Sequence, residues 1–171
     1  PIMPRQVKIG LIGCGSISEA YFAGCKRYDI LQLIACADLE LARAQAKAEK
    51  HGIRACTVDE LLADPEIEIV INLTIPQAHA PLNERILRRV SGLSADAGEL
   101  LRVLAVAGGP VDARDLVDII GRPPVPLLQT VNSMRGAGLL VEHDGLLSFQ
   151  HDLVREAIRN DVPASARSAI H

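Results

Sequence analysis

The stretch Val7-Lys8-Ile9-Gly10-Leu11-Ile12-Gly13-Cys14-Gly15-Ser16-Ile17-Ser18 constrains this chain more than any other. Val7 to Ile12 is a short apolar run with β-branched residues and glycines directly after it, the pattern of a buried strand. Gly13 and Gly15 then permit a tight turn and a close approach of backbone to a ligand. Ser16 to Arg27 read as a helix whose free N–H groups point back at that turn. A strand, a glycine turn and a helix start present bare amides and the positive end of a helix dipole, which together cradle a pyrophosphate. Ser18 holds the third position of this fingerprint, where a glycine is usual. It is the next-smallest choice at a point where helix must approach strand.

Downstream, Leu31 to Ala37 predict a second strand that ends at Asp38. A carboxylate there is placed to accept hydrogen bonds from an adenosine ribose, and it is equally placed to cap the next helix. That helix is expected from about Leu39 to His51, rich in Ala, Leu, Lys, Glu and Gln, and stopped by Gly52. Arg54 to Cys56 read as a third strand. Thr57-Val58-Asp59-Glu60 has the form of a capping box opening a brief helix that ends before Pro65. Glu68 to Ile75 read as a fourth strand, broken at Pro76. The alternation β-α-β-α-β-α-β predicts a parallel sheet with right-handed crossovers and strand order 3-2-1-4. Gly13 to Ser16, Asp38, and Thr74 to His79 then all fall on the carboxyl edge of that sheet, where ligands bind.

Gly13-Cys14-Gly15-Ser16-Ile17-Ser18, Ala37-Asp38 and Asn72-Leu73-Thr74-Ile75-Pro76-Gln77-Ala78-His79 together resemble the nucleotide-binding half of the glucose-fructose oxidoreductase/inositol dehydrogenase family (Gfo/Idh/MocA). The resemblance covers about residues 5–80. It implies NAD or NADP bound with its pyrophosphate over Gly13, Gly15, Ser16 and Ile17, its adenosine ribose at Asp38, and its nicotinamide end near Thr74, Pro76 and His79. Asp38 favours NAD, because a carboxylate repels a 2′-phosphate. The family continues with a Glu-Lys-Pro motif whose lysine takes part in catalysis. No such motif occurs here and no lysine follows Lys50, so the reading is a cofactor-binding module with no catalytic residue assigned.

Composition separates the two halves of the 171-residue chain. All four cysteines and all the lysines precede residue 57, and every basic residue after Arg54 is arginine. Cys14, Cys25, Cys36 and Cys56 form no C-x-x-C pair and no zinc spacing, which predicts reduced thiols, no metal site and a cytoplasmic setting. A net charge of −3 and only Tyr21, Phe22, Tyr28 and Phe149 as aromatics argue against a general nucleic-acid surface.

Beyond residue 80 the pattern turns helical. Pro81 to Val90 form an amphipathic stretch, with Leu82, Ile86, Leu87 and Val90 on one face. Ser94 caps a helix to about Val106, and Asp112 opens another that Gly121 closes. A further helix is expected from about Leu127 to Arg135. Leu139–His143, Asp144-Gly145 and Leu146–Gln150 read as a β-hairpin, and helices follow from Asp152 and after Pro163. Ile86-Leu87-Arg88-Arg89-Val90 with Leu93-Ser94, Ala137-Gly138-Leu139-Leu140 and Phe149-Gln150-His151-Asp152-Leu153-Val154-Arg155-Glu156-Ala157 resemble the winged-helix module of STAND-class signalling ATPases, among them the large LuxR-type bacterial regulators.

That resemblance implies a protein partner contacted through 81–171, and a nucleotide-sensing role for His151 opposite a P-loop. No G-x-x-x-x-G-K-[ST] occurs in this chain, so a partly solvated junction histidine is preferred. The expected recognition helix carries only Arg135 as a base, which makes DNA binding a weak third reading. The expectation is therefore α/β: a partial Rossmann sheet over 1–80 followed by a mostly helical winged-helix domain over 81–171, an apparent fusion of two unrelated segments. Its function is either dinucleotide binding or regulation.

Overall fold

The computed structural model describes residues 5–121 and 123–170. The chain divides into two compact units, 1–82 and 83–171.

In the first unit β1 (Val7–Ile12), β2 (Leu31–Ala37), β3 (Arg54–Cys56) and β4 (Ile69–Asn72) form one sheet in the order β3-β2-β1-β4, with every neighbour parallel. The order is the one expected from the alternation of strands and helices. α1 (Ser18–Cys25), α2 (Leu41–His51) and α3 (Val58–Ala63) are the crossovers. β1 is central and its Leu11 and Ile12 are fully buried, which is why its sequence is a continuous apolar run. α2 reaches the sheet through Ala44 and Ala48, both buried in one cluster with Cys36 and Leu11, small helix side chains that permit a close approach. Gly10 does the same for α3. A Cβ at that position would stand 2.9 Å from both Ile67 Cδ1 and Leu61 Cδ2. Thr57 and Glu60 make both halves of the expected capping box.

Several boundaries differ from the sequence reading. α1 starts at Ser18, not Ser16, because residues 15–17 form a turn with i→i+3 bonds before the helix proper. α2 starts at Leu41, because Asp38 turns the chain and Glu40 remains extended. β4 is confined to Ile69–Asn72, its end set by a side-chain turn at Asn72. The largest difference is α4, which runs from Pro76 to Ser91. Pro76, not Pro81, holds the first helical position, where a missing N–H costs nothing. Pro81 lies inside the helix, and the expected domain junction at 80–81 lies inside it as well.

In the second unit the described elements after α4 are α5 (Ala95–Ala107), β5 (Val111–Asp112), α6 (Ala113–Ile120), α7 (Pro124–Gly136), β6 (Leu140–His143), β7 (Leu146–Phe149), α8 (Asp152–Asp161) and α9 (Ala164–Ile170). β5, β7 and β6 make an antiparallel sheet in that order. Asp144 and Gly145 both have positive φ (53° and 81°) and turn the β6–β7 hairpin as the Asp-Gly pair predicts. The core is aliphatic: Leu100, Leu101, Leu104, Leu116, Met134, Leu147, Val154 and Ile158 are buried. α5 is its axis, packed on α7, α8 and α9. Among the described residues no helix is long and apolar enough to cross a membrane.

Candidate functional site

The site is assembled at the carboxyl ends of β1, β2 and β4. Gly13 follows β1 with φ 101°, and a Cβ there would stand 2.9 Å from the Leu73 carbonyl carbon and 3.0 Å from Thr74 N. Only glycine fits, both for its dihedral and because the loop passes directly over the end of β4. Its N–H donates to Ala37 O at 2.9 Å, which carries the β1–β2 pairing one residue beyond the strands. Gly15 is the converse case: it is exposed, and a Cβ built on it meets nothing within 4 Å.

From Gly15 the chain turns into α1. Ser18 N donates to Gly15 O at 3.2 Å, Glu19 N to Ser16 O at 3.4 Å and Ala20 N to Ile17 O at 3.1 Å. The Ser18 hydroxyl donates to the same Gly15 carbonyl at 2.6 Å, and Ser18 is fully buried. The serine thus occupies the third fingerprint position with its one donor satisfied locally. Among the described residues the amides of Gly15, Ser16 and Ile17 take no intramolecular partner. They stand at the positive end of the α1 dipole. Unpaired amides at a helix start are the kind of donor a diphosphate takes.

Asp38 is the hinge of the site. Its Oδ2 accepts from Cys14 N at 2.7 Å and its Oδ1 from Glu40 N at 2.9 Å. The first bond ties the glycine loop to the end of β2, and the second turns the chain toward α2. The two readings of Asp38 from sequence are therefore not exclusive: it orders the backbone on both sides while its carboxylate stays half-exposed. The Cys14–Asp38 bond had no signal in the sequence, since a backbone donor leaves no mark on residue type. The Cys14 side chain points away from the loop surface. Its thiol contacts Cys36 and donates to Ala37 O at 3.5 Å, and the hydrogen bond to Cys36 together with burial holds it far above the ordinary thiol range. It is a protonated, structural thiol.

On the β4 side, Asn72 Oδ1 accepts from Thr74 N at 3.0 Å and from the Thr74 hydroxyl at 2.8 Å. Asn72 is thereby a structural residue of the site that the sequence reading did not single out. His79, in the first turns of α4, is exposed, and its Nε2 lies 3.0 Å from Thr74 O. The structure thus joins Thr74 and His79 in one short loop–helix unit beside Gly13. Pro76 opens α4, and its side chain lies outside the described residues.

Glu19, in the first turn of α1, would oppose an anion at the loop were its charge uncompensated. Instead it accepts from Lys47, from Lys50 at 3.0 Å, and has His51 Nε2 at 3.1 Å, all on α2. Lys47 and Lys50 lower its carboxyl from 4.5 to about 2. His51 also stacks on Phe22, ring centroids 4.0 Å apart, so the cluster clamps α1 to α2. Among the described residues no group of His, Cys, Asp and Glu could hold a metal ion.

Residues 7–91 match the model of the oxidoreductase family with an NAD-binding Rossmann fold, GFO_IDH_MocA. Over 82 residues the chain is 33% identical to inositol 2-dehydrogenase of Rhizobium meliloti, covering 48% of this chain and 25% of that protein. It is 28% identical to the uncharacterized oxidoreductase YrbE of Bacillus subtilis, covering 47% of this chain and 24% of that one. Among solved structures it is similar to the WlbA dehydrogenase from Chromobacterium violaceum in complex with NADH and UDP-GlcNAcA. There the identity is 29%, the coverage 50% of this chain and 25% of that one, and the TM-score 0.43. The chain spans about a quarter of the length of the curated relatives it matches. Residues 7–91, just under half of the chain, thus carry the likeness to the NAD-binding Rossmann fold of that oxidoreductase family.

Proposed function

We propose that the first unit binds NAD with the diphosphate on the amides of Gly15, Ser16 and Ile17, over Gly13. The adenosine ribose lies against Asp38, and the nicotinamide end is directed toward Thr74, Pro76 and His79. The observation that carries this reading is the pairing of three open amides with a carboxylate fixed at both oxygens. Because Asp38 is held by Cys14 N and Glu40 N, it cannot swing aside for a 2′-phosphate, which supports NAD over NADP. NAD supplies a hydride acceptor when bound. The residues of this chain position it, and the Glu19 cluster keeps a fixed negative charge from opposing the diphosphate. No lysine follows Lys50, so the lysine of the family's Glu-Lys-Pro motif has no counterpart here, and the reading is of binding without hydride transfer. Isothermal titration of the intact chain tests it: saturable heat with NAD and with NADH, and weaker binding of NADP, are expected. No binding at millimolar NAD removes the proposal.

For the second unit, we infer a winged-helix arrangement. The chain order α5-β5-α6-α7-β6-β7, with β5 and β6 flanking β7, supports it. The composition change near residue 57 and the end of the family match at 91 support a separate origin for the two parts, and the proposed division into 1–80 and 81–171 falls between those two positions. Expression of 81–171 alone, followed by a cooperative thermal melt, is the expected outcome. A chain that stays unfolded would remove the boundary.

A further inference from the structure

The second unit carries a groove that neither its core nor its expected fold accounts for. α6 and α7 leave between them a cavity of about 400 Å³. Ala113, Arg114, Val117 and Asp118 line it from one helix, and Pro124, Leu127, Leu128 and Val131 from the other. On α7 these residues follow the i, i+3, i+4, i+7 spacing of a single helix face. Leu127 and Val131 are its buried floor, whereas Leu128 is 54% exposed and Val125, on the adjoining row, is 66% exposed. Two large apolar side chains on one helix are thus left in solvent beside an apolar trough.

The rim has a sign. Arg114 is taken up by Asp112, its Nη2 donating to Oδ2 at 2.7 Å and its Nε to Oδ1 at 3.1 Å. That pairing holds the Asp112 carboxyl at about 2. Asp118, which lines the groove, and Asp115, whose charge acts on Arg114, are both exposed, so from Asp112 to Ile120 three carboxylates stand against one guanidinium and the α6 side is net negative.

A trough between two helices, apolar along its length and charged only at the edge, lacks the convergent polar groups that orient a small molecule. It matches instead the ridge of a third helix. We propose that the α6–α7 groove is a docking site for an amphipathic helix of a protein partner, with an apolar stripe for Leu127, Leu128 and Val131 and a lysine or arginine for Asp115 and Asp118. This inference is independent of the dinucleotide reading, since it uses no residue of the first unit.

The test uses the full chain and two designed 14-residue amphipathic peptides with the same leucine stripe, one with lysine and one with glutamate on the polar face, followed by fluorescence anisotropy. The lysine peptide is expected to bind saturably and the glutamate peptide at least tenfold more weakly. Leu128→Asp, a change at a half-exposed position that leaves the core intact, is expected to weaken the lysine peptide at least tenfold. Asp118→Lys is expected to narrow the difference between the two peptides. Ser133→Ala, exposed on α7 on the side away from Leu128, should bind as the unaltered chain does. No saturable binding, or equal binding by Leu128→Asp, overturns the proposal. So does concentration-dependent dimerisation abolished by Leu128→Asp, which would make a second copy the occupant.

Discussion

The two units build their proposed recognition surfaces from different materials. In the first, the surface is backbone: the amides of Gly15 to Ile17, shaped by one residue at positive φ and held by one carboxylate. In the second, the surface is side chain, a row of aliphatic residues along α7 facing α6. A backbone-built site tolerates changes in most of its side chains and fails where the main-chain path is disturbed. A side-chain-built site behaves in the opposite way. The contrast can be broken by substitutions that act on only one of the two.

The largest effect is expected from Gly13→Ala. The added Cβ would stand 2.9 Å from a main-chain carbon of Leu73, where no flexible side chain can give way, and φ 101° is strained for any L-residue. Strain of this kind costs on the order of 1–3 kcal/mol before the clash is counted. Relief requires the loop to lift off β4. NAD binding should fall below detection by titration calorimetry, with a lowered thermal midpoint. Retained affinity would mean that the glycine loop does not define the site.

Asp38→Ala comes next. It leaves Cys14 N and Glu40 N without their acceptor and removes the ribose partner. A hydrogen bond to a charged group contributes roughly 1.5–3 kcal/mol, so NAD should bind about 10–100-fold more weakly in calorimetry. Discrimination against NADP should shrink in the same variant. Unchanged selectivity would detach Asp38 from the ribose.

These two residues also mark what could be read in advance. Gly13 and Asp38 were legible because turn chemistry and strand ends impose residue types: only glycine suits the first, and an acidic residue ends the second strand. Sheet order followed from the alternation of elements, and the β6–β7 turn from its Asp-Gly pair. What escaped has no residue signature. The Cys14 amide on Asp38 is a main-chain donor. β5 spans only Val111–Asp112, too short to show a period. The start of α4 was misplaced because Pro76 and Pro81 are equally good first-turn residues, and choosing between them required knowing where β4 ends. The α6–α7 groove depends on how two helices pack, which neither helix encodes alone.

Ser18→Ala sharpens the contrast at a smaller scale. It removes the 2.6 Å bond to Gly15 O but leaves the backbone bond from Ser18 N to the same carbonyl. A loss of about 1 kcal/mol in chemical unfolding is expected, with NAD affinity within about threefold of the unaltered chain. Ser18→Gly restores the usual fingerprint and should likewise bind. A large loss in either would show that the hydroxyl itself belongs to the site.

Acid titration probes the α1–α2 clamp of the first unit. Glu19 titrates at about 2 in the folded chain instead of 4.5, because Lys47 and Lys50 favour its charged form. With a depressed folded value, its stabilisation is complete above about pH 4.5, and it is lost as pH falls through 4.5 toward 2. Urea melts across that window should show stability falling with pH, and Glu19→Gln should flatten the part owed to the α1–α2 clamp. An identical slope in the variant would mean that the cluster is only a solvated ion group.

The smallest effect is the reverse of the first and completes the comparison. Gly136 closes α7 in helical conformation, and a Cβ built on it meets nothing within 4 Å. Here a glycine serves no close approach and no positive φ. Gly136→Ala should therefore stabilise the second unit by about 0.4–1 kcal/mol, chiefly by restricting the unfolded chain. The same chemical change, glycine to alanine, is thus expected to abolish binding in the backbone-built site and to improve stability where side chains form the surface. A destabilised Gly136→Ala variant in urea melts would show that α7 also depends on a main-chain approach, and the distinction between the two units would then not hold.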